Sequence, residues 1–397
     1  MTEKLYHRDP YRIEFTAQVV SQRQNGDGLW EVELDATALY PTSGGQPYDD
    51  GFLQGQPVIE VIEEGDTIIH LLENPLPEDE RIRGKVCWVR RFDHMQQHAG
   101  QHILSQACLQ VARAETVGFH LSDNSVTIDL DVPQLTAGQI QRIEDLANQI
   151  VTENRRIVVH VFPTADEIDL PIRKSGKAES DVRVIEVEGF DYSPCGGTHP
   201  RSTGEIGLIK ILKTEKVRGN TRVHFACGQR ALEDYRFKSE IIDEVTGYMT
   251  IGAEDLPDMV RHWDDQIKTL KKQVNELTSS LLKYEAEAIV AAADSDGVYL
   301  LSYPERGVEE LRQLAAGIVG LDSAAVVLAG VASPKPFVLV VAGEDSGIDA
   351  SQVLRECGQD YGWKGGGTAR QAQGRAEAES LEEGLQAARR YIIGQQR

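Results

Sequence analysis

Over the first ninety residues apolar and polar positions alternate with a period of two. The segments RIEFTAQVVSQ, LWEVELDAT, QPVIEVIEEGDTIIHLL and RIRGKVCW read as short strands, with Gly, Asn and Pro between them. Regular spacing of such strands predicts a small β-barrel or sandwich over residues 1–90. The period then lengthens. DHMQQHAGQHILSQACLQVA is helical, SVTIDLDV returns to strand, and TAGQIQRIEDLANQIVTENRR is an amphipathic helix with Ile140, Ile143, Leu146, Ile150 and Val151 on one side. IVVHVFP and VRVIEVEGF are strands again, so residues 91–228 form an α+β domain.

From Gly228 the pattern is wholly helical. Val260, Trp263, Ile267, Leu270, Val274, Leu277, Leu281 and Tyr284 follow a three-four alternation, the seam of a coiled coil or of a long antiparallel hairpin. Tyr235, Ile242, Val245 and Met249 offer a matching stripe on the preceding helix. Residues 229–293 are therefore read as a helical hairpin or coiled-coil linker, and the seam makes a homodimer through the helical or C-terminal region an expectation. Strands VYLLSY, AAVVLAG and PFVLVVAG then alternate with helices near 307–320, 350–361 and 379–393, which predicts a C-terminal α/β domain over residues 294–397. The fold class is a multidomain α+β chain.

Composition narrows what such a chain can do. With 397 residues, 41% hydrophobic and 26% charged, it has material for several cores. No apolar run approaches the roughly 18 residues that span a bilayer, which predicts a cytoplasmic protein with no membrane partner. Five cysteines, scattered and odd in number, do not suggest a disulfide framework, so one is free to be a ligand. A net charge of -22 argues against a general nucleic-acid coat. Two local basic clusters, RIRGKVCWVRR (81–91) and KILKTEKVRGNTR (210–222), stand against that background.

The candidate chemistry lies in two short motifs. His94, His98 and His102 recur one helical turn apart in HMQQHAGQHILSQA. Residues four apart on a helix share a face, so neighbouring rungs of this ladder can aim two ring nitrogens at one ion. In CGGTH, Cys195 and His199 flank two glycines that permit a tight backbone turn, and can present a thiolate and an imidazole together. Zinc takes N and S donors of this kind in tetrahedral geometry. There is no HExxH and no GxxxxGK[ST] in the chain.

HAGQHILS, followed about ninety residues later by CGGTH and then TGEIG (203–207), resembles the editing domain of alanyl-tRNA synthetases and of free-standing alanyl-tRNA editing proteins. YPTSGGQPYDDG (40–51) resembles the barrel signature ahead of that domain, RVIEVEGFDYSPCGGTH and RVHFACG (222–228) fit the same family, and GGGTARQAQG (365–374) resembles its glycine-rich C-terminal domain. The resemblance implies a barrel at 1–90, a Zn2+-binding editing domain at 91–228 and a set of metal ligands made of His98, His102, Cys195 and His199, with His94 as a neighbour. It implies hydrolysis of the ester joining a wrong amino acid, serine chiefly and glycine second, to tRNA(Ala). Because the chain begins at the barrel, no aminoacylation is expected.

Substrate contacts are expected from Thr42, Gly44, Gly45 and Gln46, from Thr198, and from Gln101, which stands where the synthetases generally have threonine. A loop of Lys364, Gly365, Gly366, Gly367 and Arg370 is expected to meet tRNA. Water held or positioned by zinc would carry the hydrolysis, with no separate base assigned. Two other readings stay open: a zinc-stabilised RNA-binding module without catalysis, and a zinc hydrolase acting on small esters or amides.

Overall fold

A computed structural model of the chain describes residues 1–78, 81–172, 180–293 and 296–396. Its contacts divide into two units, Met1–Met249 and Thr250–Arg397. Among the described residues no helix is long and apolar enough to cross a membrane.

The N-terminal strands form two separate four-stranded sheets. One contains Glu14–Ala17, Ile82–Val86, Gly51–Leu53 and Gln56–Pro57; the other contains Val19–Gln24, Trp30–Leu34, Thr67–Leu72 and Glu60–Glu64, each in spatial order. The closed barrel expected for residues 1–90 is therefore not formed among the described residues. The chain steps from the first sheet to the second at Gln18, whose N–H is taken by Asp35 Oδ1 at 2.7 Å instead of by a ladder partner. The next pairing carries a register shift between Val19 and Ser21. The two sheets enclose one core: Phe15, Ala17, Leu53, Ile82 and Val86 from the first meet Val32, Leu34, Val61, Ile68 and Leu72 from the second.

Next comes a helix of 25 residues, Trp88–Ala112, whose middle is buried although it is rich in Gln and His. Burial of so many polar groups is tolerable only if they are satisfied. Gln97 exchanges two hydrogen bonds with the backbone of Cys227, at 2.9 and 2.8 Å, and Gln96 donates to Glu205 O at 2.9 Å. Near the start of the helix buried Arg91 pairs with buried Asp49 and donates to Ala38 O at 2.6 Å and Pro10 O at 2.8 Å. That ion pair ties the helix to the N-terminal sheets and fixes the segment leading to Gln46.

The rest of the α+β region packs around this helix. Thr116–Leu121, Val126–Leu130, Asn220–Cys227 and Ile209–Val217 form an antiparallel sheet in that order. A second helix, Ala137–Thr152, starts with a capping box between Thr136 and Gln139 and buries Ile143, Ile150 and Val151 on its expected face. A three-stranded sheet of Ile157–Thr164, Ser180–Val187 and Asp191–Pro194 ends where Cys195 begins. Gly228–Met249, also helical, closes the first unit.

The second unit opens with the long helix Leu256–Ala291. Its seam residues Val260 through Tyr284 are exposed, whereas Leu282 and Ala286 near its end are buried against the helix Val308–Leu321. A five-stranded sheet follows, ordered Val298–Glu305, Val326–Ser333, Phe337–Ala342, Gln371–Arg375 and Lys364–Gly367; only its first pair is parallel. One apolar cluster joins this sheet to Val308–Leu321, and another joins it to Ala350–Tyr361 and Leu381–Gln395. Lys364–Gly367 was expected as a loop. It is an edge strand, because added Cβ atoms at Gly365 and Gly367 would lie 2.0 and 2.1 Å from carbonyl oxygens of the neighbouring strand, a closeness that only glycine allows.

Candidate metal centre

His98 and His102 sit mid-helix with their rings stacked, centroids 5.4 Å apart and planes 10° from parallel. Helical spacing alone produces this pair. Cys195 arrives from the strand Asp191–Pro194, its N–H bonded to Arg183 O at 3.0 Å. The next residues turn so that His199 comes back beside it. Cys195 Sγ lies 3.3 Å from both His98 Nε2 and His199 Nε2, and one donor atom from each of His98, His102, Cys195 and His199 falls within 4.8 Å of all the others.

Gly197 makes the convergence possible for a steric reason. A Cβ on it would stand 2.3 Å from His98 Cε1 and 2.5 Å from His98 Nδ1. No left-handed backbone is involved at Gly196 or Gly197. The missing side chain, more than unusual dihedral freedom, is what brings CGGTH up to the helix.

Outer partners select which nitrogen each imidazole offers. His98 Nδ1 lies 2.9 Å from Gln46 Oε1, so Nδ1 is the protonated nitrogen and Nε2 faces the cluster. Gln46 is itself held, donating to Thr198 Oγ1 at 2.9 Å and accepting from Thr198 N at 3.2 Å. His102 Nδ1 stands 3.6 Å from Asp191 Oδ2, an electrostatic contact slightly longer than a hydrogen bond, and Asp191 accepts from Ser193 Oγ at 2.8 Å. Neither nitrogen of His102 makes a hydrogen bond although both are buried, and the same is true of His199 Nδ1.

Electrostatics favour donor chemistry. Burial alone would raise the Cys195 thiol, but the imidazoles of His98 and His199 overcome it and bring the group well below its ordinary range. Gly197 N donates to that sulfur at 3.4 Å. Burial likewise opposes protonation of His102, yet Asp191 and Cys195 outweigh it and raise the group to about 9. Burial dominates at His199 and takes it down to about 3. Three imidazoles and one thiolate, with buried nitrogens left without partners, are a set that could hold a transition-metal ion. His94, the third rung of the ladder, stands apart: its Nε2 is 3.8 Å from Asp123 Oδ1, and burial lowers it to about 4.

The cluster opens onto a cavity of about 330 Å³. Of the residues expected to contact substrate, Gly44 and Gln101 line it. Thr42 is exposed and off its wall, Gly45 packs against Phe119, and Gln46 and Thr198 serve as supports behind His98. Residue-type spacing did not reveal Ser105, Thr116 or Glu115, which also line the cavity. Gln101 Nε2 donates to Ser105 Oγ at 2.8 Å and Thr116 Oγ1 to the same oxygen at 2.7 Å, a polar row along one wall. In the second unit Lys364 and its three glycines are exposed, while Arg370 Nη1 donates to Gly343 O at 2.8 Å.

Residues 182–224 match the family described as threonyl and alanyl tRNA synthetase second additional domain. The chain is 30% identical over 397 residues to the alanyl-tRNA editing protein AlaX-L of Pyrococcus horikoshii, covering 96% of each sequence. The chain belongs to the alanyl-tRNA editing protein family.

The alanyl-tRNA editing protein Aarsd1-A of Xenopus laevis is 30% identical over 385 residues, with 93% of this chain and 92% of that protein aligned. The alanine–tRNA ligase of Pyrococcus abyssi is 32% identical over 391 residues, but the chain spans only 42% of that enzyme's length. Within this editing-family chain, the matched segment 182–224 contains both Cys195 and His199.

Proposed function

We propose that the protein is a trans-acting hydrolase that removes serine, and secondarily glycine, from mischarged tRNA(Ala), with Zn2+ held by His98, His102, Cys195 and His199. Hydrolysis alone is the reaction; aminoacylation is not part of it. The observation that carries the reading is a four-donor cluster opening directly onto a cavity in a chain of the alanyl-tRNA editing family.

An aminoacyl ester is already activated, so the task is to place water and substrate and to stabilise a developing oxyanion. A bound divalent cation would supply Lewis acidity and a fixed point of reference for the acceptor end. The chain's residues do the rest. Gln46 and Asp191 hold the imidazoles in orientation. Gln101, Ser105 and Thr116 present a hydrogen-bonding wall against which a hydroxylated side chain can be sorted from a bare methyl group, because a buried polar row left unpaired is costly. Thr42, Gly44 and Gly45 belong to the segment that would receive the terminal nucleotide. The exposed edge strand Lys364–Gly367, with Arg370, supports a contact with the RNA backbone. The exposed seam from Val260 to Tyr284 supports a homodimer, and the absence of a membrane-spanning helix among the described residues accords with a cytoplasmic place of work.

One observation favours a second reading. Four protein donors suffice to close a tetrahedral zinc site, as in structural centres, which would make the domain an RNA-binding module. Incubating the purified protein with seryl-tRNA(Ala) decides between them. The expected result is release of serine, reduced by at least about a hundredfold in His102→Ala. Retention of the ester by the intact, metal-loaded protein would leave the binding module standing.

A further inference from the structure

We propose that Glu115 is the residue that receives the α-ammonium group of the substrate amino acid. The inference deepens the reading above and rests on the cavity taking an aminoacyl ester. Every such ester, whatever its side chain, carries an amino group that ionises near pH 8 and is largely cationic at neutral pH. A divalent ion held by one thiolate and three neutral imidazoles would leave one net positive charge at the cluster. The ammonium must therefore sit away from the donors and toward a negative group.

Among the described residues Glu115 is the one carboxylate lining the cavity that also holds His102 and Cys195. Its backbone is pinned on both sides: Glu115 N donates to Asp131 Oδ1 at 2.6 Å, and Asp131 N donates to Glu115 O at 3.0 Å. Its side chain, in contrast, has no hydrogen bond or ion pair among the described residues. A fixed backbone carrying an uncommitted carboxylate on the cavity wall is the arrangement that ammonium recognition requires. Thr116, the next residue, continues the wall inward through Ser105 to Gln101, so one strand start would read the amino group and the polar row the side chain.

The test uses the full-length, metal-loaded chain and a non-hydrolysable probe, adenosine bearing serine through a 3′-amide, together with its N-acetyl derivative. Calorimetry should show N-acetylation weakening binding to the wild type about tenfold, the size expected of a charge-assisted contact at a partly exposed site. Glu115→Gln should weaken the parent probe by a similar factor, and N-acetylation should then cost the variant little more. Activity should follow, with kcat/KM on seryl-tRNA(Ala) falling through KM. If Glu115→Gln binds the parent probe as tightly as the wild type, or pays the full penalty for N-acetylation, the assignment is wrong while the hydrolase reading survives. A wild type that neither binds the probe nor cleaves seryl-tRNA(Ala) overturns both.

Discussion

Two glycine-rich segments, CGGTH in the first unit and KGGG in the second, look alike as sequence and use their glycines for different ends. At Gly197 the absent Cβ makes room for an imidazole of the candidate metal centre, with His98 Cε1 at 2.3 Å from where it would stand. At Gly365 and Gly367 the absent Cβ makes room for the carbonyls of a neighbouring strand. Both segments are close approaches, and neither is a flexible loop. The difference lies in what is approached: in one case His98, one ring of a cluster whose other imidazoles, His102 and His199, carry buried nitrogens without hydrogen-bond partners; in the other a satisfied β-ladder. The nitrogens without partners, not the glycines, are what single out the first segment as a candidate site.

The sharpest way to break this comparison is to add the same methyl group to each segment. Gly197→Ala should push His98 off the cluster. Bound metal is expected to fall from about one per chain to a small fraction of that, and deacylation by about a hundredfold or more, since a displaced ligand costs both affinity and geometry. Gly367→Ala should instead part the edge strand from Gln371–Arg375 and lower the stability of the second unit by about 1–3 kcal/mol, with metal content unchanged. Elemental analysis and thermal melts read both outcomes. Loss of metal in Gly367→Ala, or its full retention in Gly197→Ala, would erase the distinction.

A smaller effect is expected one shell further out. Gln46 does not itself line the cavity, yet its Oε1 accepts from His98 Nδ1 and so decides that Nε2 faces the cluster. Gln46→Ala removes that acceptor and leaves the ring to choose its tautomer. Metal affinity should fall about 10- to 100-fold, as it does when such orienting partners are removed elsewhere. A competition titration against a chromophoric chelator gives the number, and an unchanged dissociation constant would show that Gln46 only fills space. No mutation in Lys364–Gly367 should register in this measurement.

These contrasts also show what could be read from the chain. The ligand pairs were legible because each is local: a helical turn fixes the distance between His98 and His102, and three intervening residues fix that between Cys195 and His199. The amphipathic helix with its Thr136–Gln139 cap was legible for the same reason. The supports were not. Gln46 and Asp191 act on imidazoles 52 and 89 residues away, contacts that the Arg91–Asp49 ion pair and the edge strand Asp191–Pro194 create only after folding. Ser105 and Thr116 meet because Arg113 takes a left-handed conformation, φ 56, and turns the chain back along its own helix, a choice its residue type does not announce. The step between the two sheets at Gln18 was not legible, because its N–H goes to the side chain of Asp35, 17 residues on, a partner that no local pattern announces. Lys364–Gly367 became a strand because an existing sheet edge outweighed the poor strand propensity of three glycines.

The gentlest test of the cluster uses protons. In the metal-free protein burial disfavours a charged His102, but Asp191 and the Cys195 thiolate hold its proton up to about pH 9. A raised folded-state value means that this proton stabilises the metal-free fold fully below the unfolded value of about 6.5, and that the contribution is lost as pH climbs through about 9. Metal requires the neutral ring, so binding below about pH 9 must expel the proton. The apparent association constant should therefore rise about tenfold between about pH 7 and about pH 8, and flatten beyond about 9, after correction for the chelator's own titration. Asp191→Asn withdraws one of the groups holding the proton and should shift the flattening to lower pH. A slope near zero in the wild type would mean that the ring is already neutral in the metal-free cluster, and that Asp191 orients His102 without charging it. Gly367→Ala should keep the wild-type slope, because its methyl group touches a ladder rather than a proton-binding donor.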